Sequence, residues 1–228
     1  RNIYNNWKFN INTAFRSPNI DDLAKVFDSE PGNVVVPNPD LKPERSFGFE
    51  FGGYFRTKNN IELDFSSYVT YLYNSFIRDS FTLSNGVSEI IYDGELSQIQ
   101  ALQNSSKSFI YGLEFGVNML LNKNFRIKSQ HNLIAGHELN QLPIAMPVRH
   151  IPPNYGNFHL IYNVGDFIID SYLNYNSEIS FSNLAQSERA KPYIYASDKN
   201  GNPYSPAWMT FNIRSKYSFS KMLNINFS

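Results

Sequence analysis

A segment rich in cations and aromatic rings, ERAKPYIYASDKNGNPYSP (residues 188–206), holds the side chains best suited to bind a ligand. Its candidate contacts are Arg189, Lys191, Tyr193, Tyr195 and Tyr204. Arginine and lysine make charge-assisted hydrogen bonds to anions, and tyrosine rings stack on flat groups. The combination predicts a site for an anionic aromatic ligand, with plain loop packing as the competing role of each residue. The neighbouring pair Arg149 and His150 is a second candidate. His150 is the histidine best placed to face a ligand, with loop packing as its competing and favoured role.

The residues that catalysis or tight metal binding would require are missing or dispersed. The chain has no cysteine, which removes disulfides, thiolate metal sites and cysteine nucleophiles. No nucleophile stands beside a base in a recognisable pattern. DKNGN (198–202) resembles the start of a calcium loop but lacks its closing glutamate, so it predicts a turn with Gly201 at positive φ. The sequence therefore predicts no enzyme, no catalytic residue, no cofactor and no metal site.

Composition and charge narrow the class of protein. Charged residues make up 18% of the chain, below the usual value of about 25%, and aromatic residues reach 16%. Twenty basic residues balance 20 acidic ones, so no net positive field attracts nucleic acid, and we expect no nucleic-acid partner. No apolar run approaches the roughly 18 residues that a membrane-spanning helix needs.

Alternation of apolar and polar residues predicts the elements that must position these side chains. In SFGFEFGGYF (46–55), Phe47, Phe49, Phe51 and Phe55 share one parity, while Glu50 has the other. A period of two is the signature of a strand with two different faces. The same pattern predicts nine strands, near 7–15, 47–55, 61–73, 109–121, 125–135, 157–164, 167–176, 209–219 and 223–227.

The lengths of the connections distinguish two architectures. A soluble sandwich would bury the apolar face against a second sheet, whereas an outer-membrane barrel turns that face to lipid. Short connections at 56–60, 121–124, 163–166 and 219–222 alternate with long ones near 16–45, 78–108, 138–153 and 177–207. Outer-membrane barrels have short periplasmic turns and long extracellular loops. The pattern predicts an all-β, antiparallel transmembrane barrel segment of about nine strands, with Glu50 on the lumen face.

Two motifs then resemble a known family. FRSP (15–18) is followed by NPDLKPE (38–44), a pairing similar to landmarks in the barrels of TonB-dependent outer-membrane receptors, and the composition looks like that of Bacteroidetes-type receptors. The matching residues are Phe15, Arg16, Pro18, Asn38, Pro39, Leu41, Pro43 and Glu44, with Glu50 in the next strand. The resemblance implies that residues 1–228 are the C-terminal portion of a barrel of about 22 strands, closed by a plug domain. The plug and the remaining strands are then expected outside this chain.

The function that this resemblance implies is active uptake across the bacterial outer membrane. A scarce, bulky nutrient, most plausibly an iron–siderophore or similar ferric chelate, would bind on the extracellular side. The expected partners are this chelate, the receptor's own plug domain, the TonB complex acting through that plug, and outer-membrane lipid. Arg16 and Glu44 are expected to pair across adjacent strands, with binding of a charged ligand as the alternative. Lumen carboxylates such as Glu50 are expected to bond the plug, with a metal site as the alternative. The alternative is a non-transporting barrel that acts as an adhesin or captures glycans.

Overall fold

The computed structural model describes residues 3–30, 32–104, 107–139, 146–220 and 223–227. Its strands, in chain order, are β1 (Tyr4–Arg16), β2 (Phe27–Glu30), β3 (Asn33–Val36), β4 (Glu44–Arg56), β5 (Ile61–Tyr73), β6 (Phe76–Ser80), β7 (Glu89–Tyr92), β8 (Glu95–Asn104), β9 (Lys107–Leu120), β10 (Phe125–Leu139), β11 (Met146–Pro147), β12 (Tyr155–Val164), β13 (Phe167–Asn176), β14 (Ala196–Ser197), β15 (Pro203–Tyr204), β16 (Trp208–Ser218) and β17 (Asn224–Phe227). The helices are α1 (Ile20–Ala24), α2 (Gln186–Arg189) and two 3₁₀ helices, Phe181–Asn183 and Pro192–Ile194. Within the described ranges, no helix has both the length and the apolar character needed to cross a membrane.

Nine of these strands form one antiparallel ribbon, which confirms the predicted strands. β1, β4, β5, β9, β10, β12, β13, β16 and β17 pair in that order, and β11 adds to β10. The connections 57–60, 121–124 and 165–166 are short and lie at one rim, while the described parts of the long connections 17–43, 74–106, 140–154 and 177–207 lie at the other. The fourth predicted turn, 219–222, lies partly outside the described residues. Below, the two edges are called the short-turn rim and the long-loop rim.

The two faces of the ribbon differ as the alternation predicts. Phe9 lies opposite Phe51 across the β1–β4 pair, and Asn10 lies opposite Glu50. The Phe9 and Phe49 rings meet edge to face, with centroids 4.8 Å apart. Side chains of the apolar face are nevertheless exposed; Phe9, for example, is 64% exposed. A face of packed but uncovered rings is suited to lipid, because a sandwich would cover it with a second sheet.

A second sheet stands at the long-loop rim, where the sequence pattern predicts only loops. Its strand order is β2–β3–β8–β6, with β7 also on β8, and β3 runs parallel to β8. Val34, Val36, Ile99 and Ala101 form its buried centre. These strands are short and their partners are distant in sequence, so local alternation does not reveal them. The long loops between the wall strands therefore have a core of their own.

The connection 177–207 is also folded. Ile179 and Ser205 exchange two backbone hydrogen bonds, of 2.9 and 3.0 Å, which close its base. Above this bridge lie both 3₁₀ helices, α2 and the small β14–β15 hairpin. Leu184 and Ala185 are buried. The segment that carries most candidate ligand contacts is thus a compact unit with fixed geometry.

Candidate functional site

The carboxylates of the polar face are bonded within the wall. Ser66 Oγ donates a hydrogen bond of 2.7 Å to Glu50 Oε1 across the β4–β5 pair. Asn132 Nδ2 donates one of 3.0 Å to Glu114 Oε1 across the β9–β10 pair. Each bond joins neighbouring strands, and the contacts fix both acids on the polar face. Glu50 therefore lies on the face that the alternation predicts for it.

A buried aspartate ties three strands of the same face together. Asp170 Oδ1 lies 2.8 Å from His159 Nδ1, and Asp170 Oδ2 accepts a 2.7 Å bond from Arg214 Nη2. The His159 ring stacks on Tyr172 with centroids 5.0 Å apart. These contacts link β12, β13 and β16, so His159 is satisfied by its neighbours, as expected for an isolated strand histidine.

A series of linked hydrogen bonds joins polar side chains on the apolar face. Ser129 Oγ donates to the Asn157 carbonyl at 2.9 Å and lies 2.6 Å from His131 Nε2, while Tyr175 Oη lies 2.8 Å from Nδ1. Because the serine proton points to the carbonyl, Ser129 Oγ accepts from Nε2–H. Each of these side chains then has a partner on the same face, which suits a face built for an apolar environment.

The ion pair predicted between the two family motifs is present. Arg16 Nη1 lies 3.3 Å from Glu44 Oε2, across the β1–β4 pair. Arg16 Nη2 also contacts Asp22 Oδ2 at 3.0 Å, and its guanidinium stacks on the Phe76 ring. Glu44 Oε1 accepts the backbone N–H of Phe76. The pair therefore joins two wall strands to α1 and to the loop sheet.

The NPDLKPE motif fastens the long-loop rim to β8. Asn38 is buried; its Nδ2 donates to the Leu102 carbonyl at 2.8 Å, and its Oδ1 accepts from the Asp40 N–H at 3.1 Å. Asn104 exchanges two hydrogen bonds of 2.7 Å with the backbone of Lys42. The remaining motif residues, exposed or half-buried around these bonds, are Phe15, Pro18, Pro39, Leu41 and Pro43. These hydrogen bonds of the NPDLKPE motif hold the connection 17–43 against β8 and have a structural role.

Glu188, which the sequence pattern does not mark as a site residue, contacts two of the candidate ligand contacts. Its Oε1 lies 3.7 Å from His150 Nδ1, and its Oε2 accepts the Ala185 N–H at 3.2 Å. The Tyr195 hydroxyl also hydrogen-bonds this carboxylate, and the charge of Arg149 acts on the same phenol. One acid thus contacts residues of two connections, His150 in 146–154 and Tyr195 in 177–207. The signal available in the sequence is a glutamate three residues after a helix N-cap, the position of a capping-box acid.

Arg189 turns away from this junction and braces its own connection. Its Nε donates to the Leu184 carbonyl at 2.9 Å, and its Nη2 donates to the Ser182 carbonyl at 2.8 Å. The guanidinium lies over the Phe181 ring, 4.8 Å from the centroid. In this geometry the donors of Arg189 are directed at backbone.

The other candidate contacts lie at three places in the same connection. Lys191 precedes the 3₁₀ helix Pro192–Ile194, within which Tyr193 is 73% exposed. Tyr204 lies in β15, opposite Ala196. His150, in the other connection, has a left-handed backbone with φ of 60°. Such a conformation in a residue other than glycine marks a position that the surrounding structure holds under strain.

The DKNGN segment forms the predicted turn. Asp198 Oδ1 accepts the N–H groups of Asn200 and Asn202, both at 2.8 Å, and Gly201 has φ of 81°. The backbone N–H of Asn202 is the main cause that lowers the pKa of Asp198, since it stabilises the ionised carboxylate. The acid is used to shape a turn.

A cleft of about 670 Å³ opens beside the junction, within the range of small-molecule sites. Its lining comes from β6, from the ends of β9 and β10, from 146–150 and from the α2 region. Arg78 and Arg149 bring positive charge from two different elements, while Asp79 and Glu138 bring negative charge. Phe76, Leu102 and Val148 supply apolar surface. The cleft can hold a ligand with a flat or apolar body and charged groups.

Removing the Tyr195 hydroxyl is expected to loosen the junction. Burial first, and then the charge of Glu188, raise the pKa of Tyr195, with Arg149 opposing them. Because the pKa of Tyr195 is higher in the folded state than in the unfolded chain, its contribution to folding stability is fully present below the ordinary pKa of about 10. That contribution is lost as the pH rises through the folded-state pKa. A hydrogen bond to a charged group contributes about 1.5 kcal/mol or more. We therefore expect Tyr195→Phe to accelerate amide exchange in residues 185–196 about tenfold at neutral pH, and to abolish any loosening that sets in above pH 10.

Hydrogen exchange of the full-length protein, followed by mass spectrometry, measures this effect. Tyr193→Phe is the matched control, because that ring is largely exposed. Equal exchange in the two variants would contradict a role for Tyr195 in joining the connections.

Comparison with known proteins gives one family and a consistent set of folds. The family model "TonB dependent receptor-like, beta-barrel" matches residues 2–228. The chain is similar to the structure of the copper transporter OprC, with a TM-score of 0.70 and 15% identity over 97% of this chain and 30% of that one. It is similar to the siderophore receptor PirA from Acinetobacter baumannii, with a TM-score of 0.68 and 14% identity over 98% and 34%.

A third similar structure is a mutant of the ferric enterobactin receptor PfeA from Pseudomonas aeruginosa, with a TM-score of 0.67 and 15% identity over 97% of this chain and 32% of that one. At these identities the likeness shows the fold. The chain spans about a third of the length of these solved structures. A search of curated protein sequences gives no match.

Proposed function

Because the chain belongs to the TonB-dependent receptor β-barrel family, we propose that it is part of the wall of an uptake receptor in the bacterial outer membrane. The family consists of outer-membrane transport receptors and not enzymes. The apolar face of the ribbon then contacts lipid, and the polar face lines the lumen. Residues 1–228 form the C-terminal portion of a barrel of about 22 strands whose lumen holds a plug domain. The TonB complex drives transport by acting through that plug.

The substrate is a ferric siderophore or a similar anionic chelate, bound at the long-loop rim. The observation that carries this proposal is the cleft beside the Glu188 junction, in which Arg78 and Arg149 stand near Phe76. Guanidinium groups bind anionic oxygens through directed, charge-assisted bonds, and aromatic rings stack on the flat groups of a catechol-type chelator. Two of the similar structures are named as a siderophore receptor and a ferric enterobactin receptor, which supports the same class.

The alternative, a barrel that binds adhesion targets or glycans without transport, predicts no dependence on cellular energy. Uptake by the proposed receptor requires the TonB complex. Cells that produce the full-length protein are therefore expected to take up the labelled chelate when TonB is present and to lose that uptake when it is absent. Surface binding that persists while uptake never occurs would favour the alternative.

Binding by the purified full-length receptor tests the proposed site directly. We expect saturable binding of a ferric tris-catecholate, measured by intrinsic fluorescence quenching. Arg149→Ala should raise the Kd about 10- to 100-fold, because a charge-assisted hydrogen bond contributes about 1.5–3 kcal/mol. Lys199→Ala is the control, since Lys199 is an exposed cation of the DKNGN turn. Binding that both variants leave unchanged would contradict the assignment of the cleft.

A further inference from the structure

Within the described residues, the apolar face of the ribbon carries two full charges, and both are cations at the long-loop rim. Arg45 is the second residue of β4, and Lys107 is the first residue of β9. Arg45 lies opposite Phe15, and Lys107 precedes Phe109 by two positions, so both have the parity of the apolar face. Both side chains are exposed. Apart from histidines, the other described residues of this parity in the nine wall strands are uncharged.

One residue separates the two cations across the sheet. Arg45 lies opposite Tyr73 on β5. On the other side of β5, Leu72 lies opposite Ser108, and one further step of this antiparallel register brings Lys107 beside Tyr73. The cations therefore flank Tyr73 at a separation of two strand spacings, about 9.6 Å. Their long side chains can converge on a single group beside the Tyr73 ring.

An aromatic band lies on the membrane side of this pair. Tyr71 stacks on Tyr73 with centroids 6.0 Å apart, and it contacts Phe109 with centroids 4.9 Å apart. Aromatic girdles of outer-membrane barrels lie at the level of the lipid headgroups. Because the long loops of such barrels are extracellular, the two cations stand at the headgroups of the outer leaflet.

The protein itself does not neutralise this pair. Among the ion pairs of the described residues, none includes Arg45 or Lys107. Glu44 is the neighbour of Arg45 in sequence, but it has the parity of the lumen face. Its oxygens are used by Arg16 and by the backbone N–H of Phe76. The positive charge of the pair is therefore available to a partner outside the chain.

The short-turn end of the same face has no matching cations among the described residues. The apolar-face residues nearest that end on β4, β5, β9 and β10 are Phe55, Ile61, Met119 and Phe125. A basic side chain that only extends from lipid towards water would be equally useful at either end of a strand. The one-sided placement favours a ligand that belongs to one leaflet.

We propose that Arg45 and Lys107 bind the phosphate group of a lipid in the outer leaflet, with Tyr73 between them. Arginine and lysine bind phosphate through charge-assisted hydrogen bonds, and the tyrosine hydroxyl is a further donor. The site is continuous with the lipid-facing surface, and its charge is complementary to an anionic headgroup. The inference goes beyond the proposed function, because it requires lipid on the apolar face and does not depend on the transported substrate.

Lipid binding by the purified full-length receptor in a neutral detergent tests the site. Native mass spectrometry follows a titration with lipid A that carries two phosphates, and a second titration with the same lipid after removal of its phosphates. We expect the wild type to bind the phosphorylated form about tenfold more tightly, because two cations attract its headgroup. Arg45→Gln combined with Lys107→Gln should remove this preference.

Two further variants separate a specific site from overall charge. Lys58→Gln with Lys123→Gln removes two charges from exposed positions in short turns and should leave the preference intact. The exchange Arg45→Lys with Lys107→Arg keeps both charges in place and should also retain it. A folded barrel band on unheated gels establishes that each variant has kept its wall.

Equal binding of the two lipid forms by the wild type would overturn the proposal and mean that the cations only extend to water. A preference that survives the double glutamine variant would place the phosphate elsewhere. A preference that the Lys58 and Lys123 control also loses would reduce the effect to overall charge. Displacement of the bound lipid by inorganic phosphate alone would assign the pair to the free anion. Each of these results contradicts a lipid site at Arg45 and Lys107.

Discussion

Replacing Phe115 with arginine in the full-length receptor is expected to cost about 2–4 kcal/mol of folding free energy in a bilayer. Phe115 lies close to the middle of β9, opposite Phe65, and its ring stacks on His131 with centroids 4.8 Å apart. These contacts place it on the apolar face. An arginine there would bring a guanidinium into hydrocarbon, where its hydrogen bonds to water are lost.

Asn118→Arg, three residues further along the same strand, is the matched comparison. Asn118 is on the lumen face and donates a 2.8 Å hydrogen bond to Glu62 Oε2. An arginine at this position keeps a donor for Glu62 and access to the lumen, so we expect a change below about 1 kcal/mol. Urea titrations of the receptor in lipid vesicles measure both values. Equal costs would mean that the two faces do not meet lipid and lumen, and would favour a sandwich.

The wall could be predicted from the sequence because each of its strands carries its own signal. Phe47, Phe49 and Phe51 alternate with Gly48 and Glu50, and that local period fixes both the strand and its faces. The ion pair between Arg16 and Glu44 could also be predicted, because two family motifs flank one long connection. Within such a ribbon, antiparallel neighbours in space are neighbours in sequence, so local pattern determines most of the register.

The long-loop rim could not be predicted in the same way. Val34 on β3 pairs in parallel with Ile99 on β8, and no local pattern reports a partner that distant. The role of Glu188 depends on Tyr195 and on His150 of another connection, which meet through tertiary packing. Arg189 shows the converse case: its residue type suits anion binding, but carbonyls of its own connection lie within reach of its guanidinium. Residue type could therefore predict which residues are candidates for ligand binding. Which of them lie together depends on tertiary contacts that only the folded loops define.

Two glycines of β4 lie on the same polar face but have different neighbours. A Cβ placed on Gly52 would lie 2.7 Å from the carbonyl oxygen of Phe65, which is backbone of the adjacent strand β5. A Cβ placed on Gly48 would instead meet the side-chain amide of Asn12, on β1. A side-chain amide can rotate towards the lumen, whereas a strand carbonyl cannot move without disturbing the ladder of hydrogen bonds.

Gly52→Ala is therefore expected to destabilise the barrel by about 1–3 kcal/mol, the usual cost of overpacking. Gly48→Ala should change the folding free energy by less than about 0.5 kcal/mol, because the small shift of Asn12 is offset by the lower conformational entropy of alanine in the unfolded chain. Transfer to lipid cancels in this comparison, since both methyl groups would face the lumen. Urea midpoints in the same vesicles report the difference. If Gly48→Ala proved the more costly change, this result would contradict the prediction. The close approach of β4 and β5 would then not be what restricts position 52 to glycine.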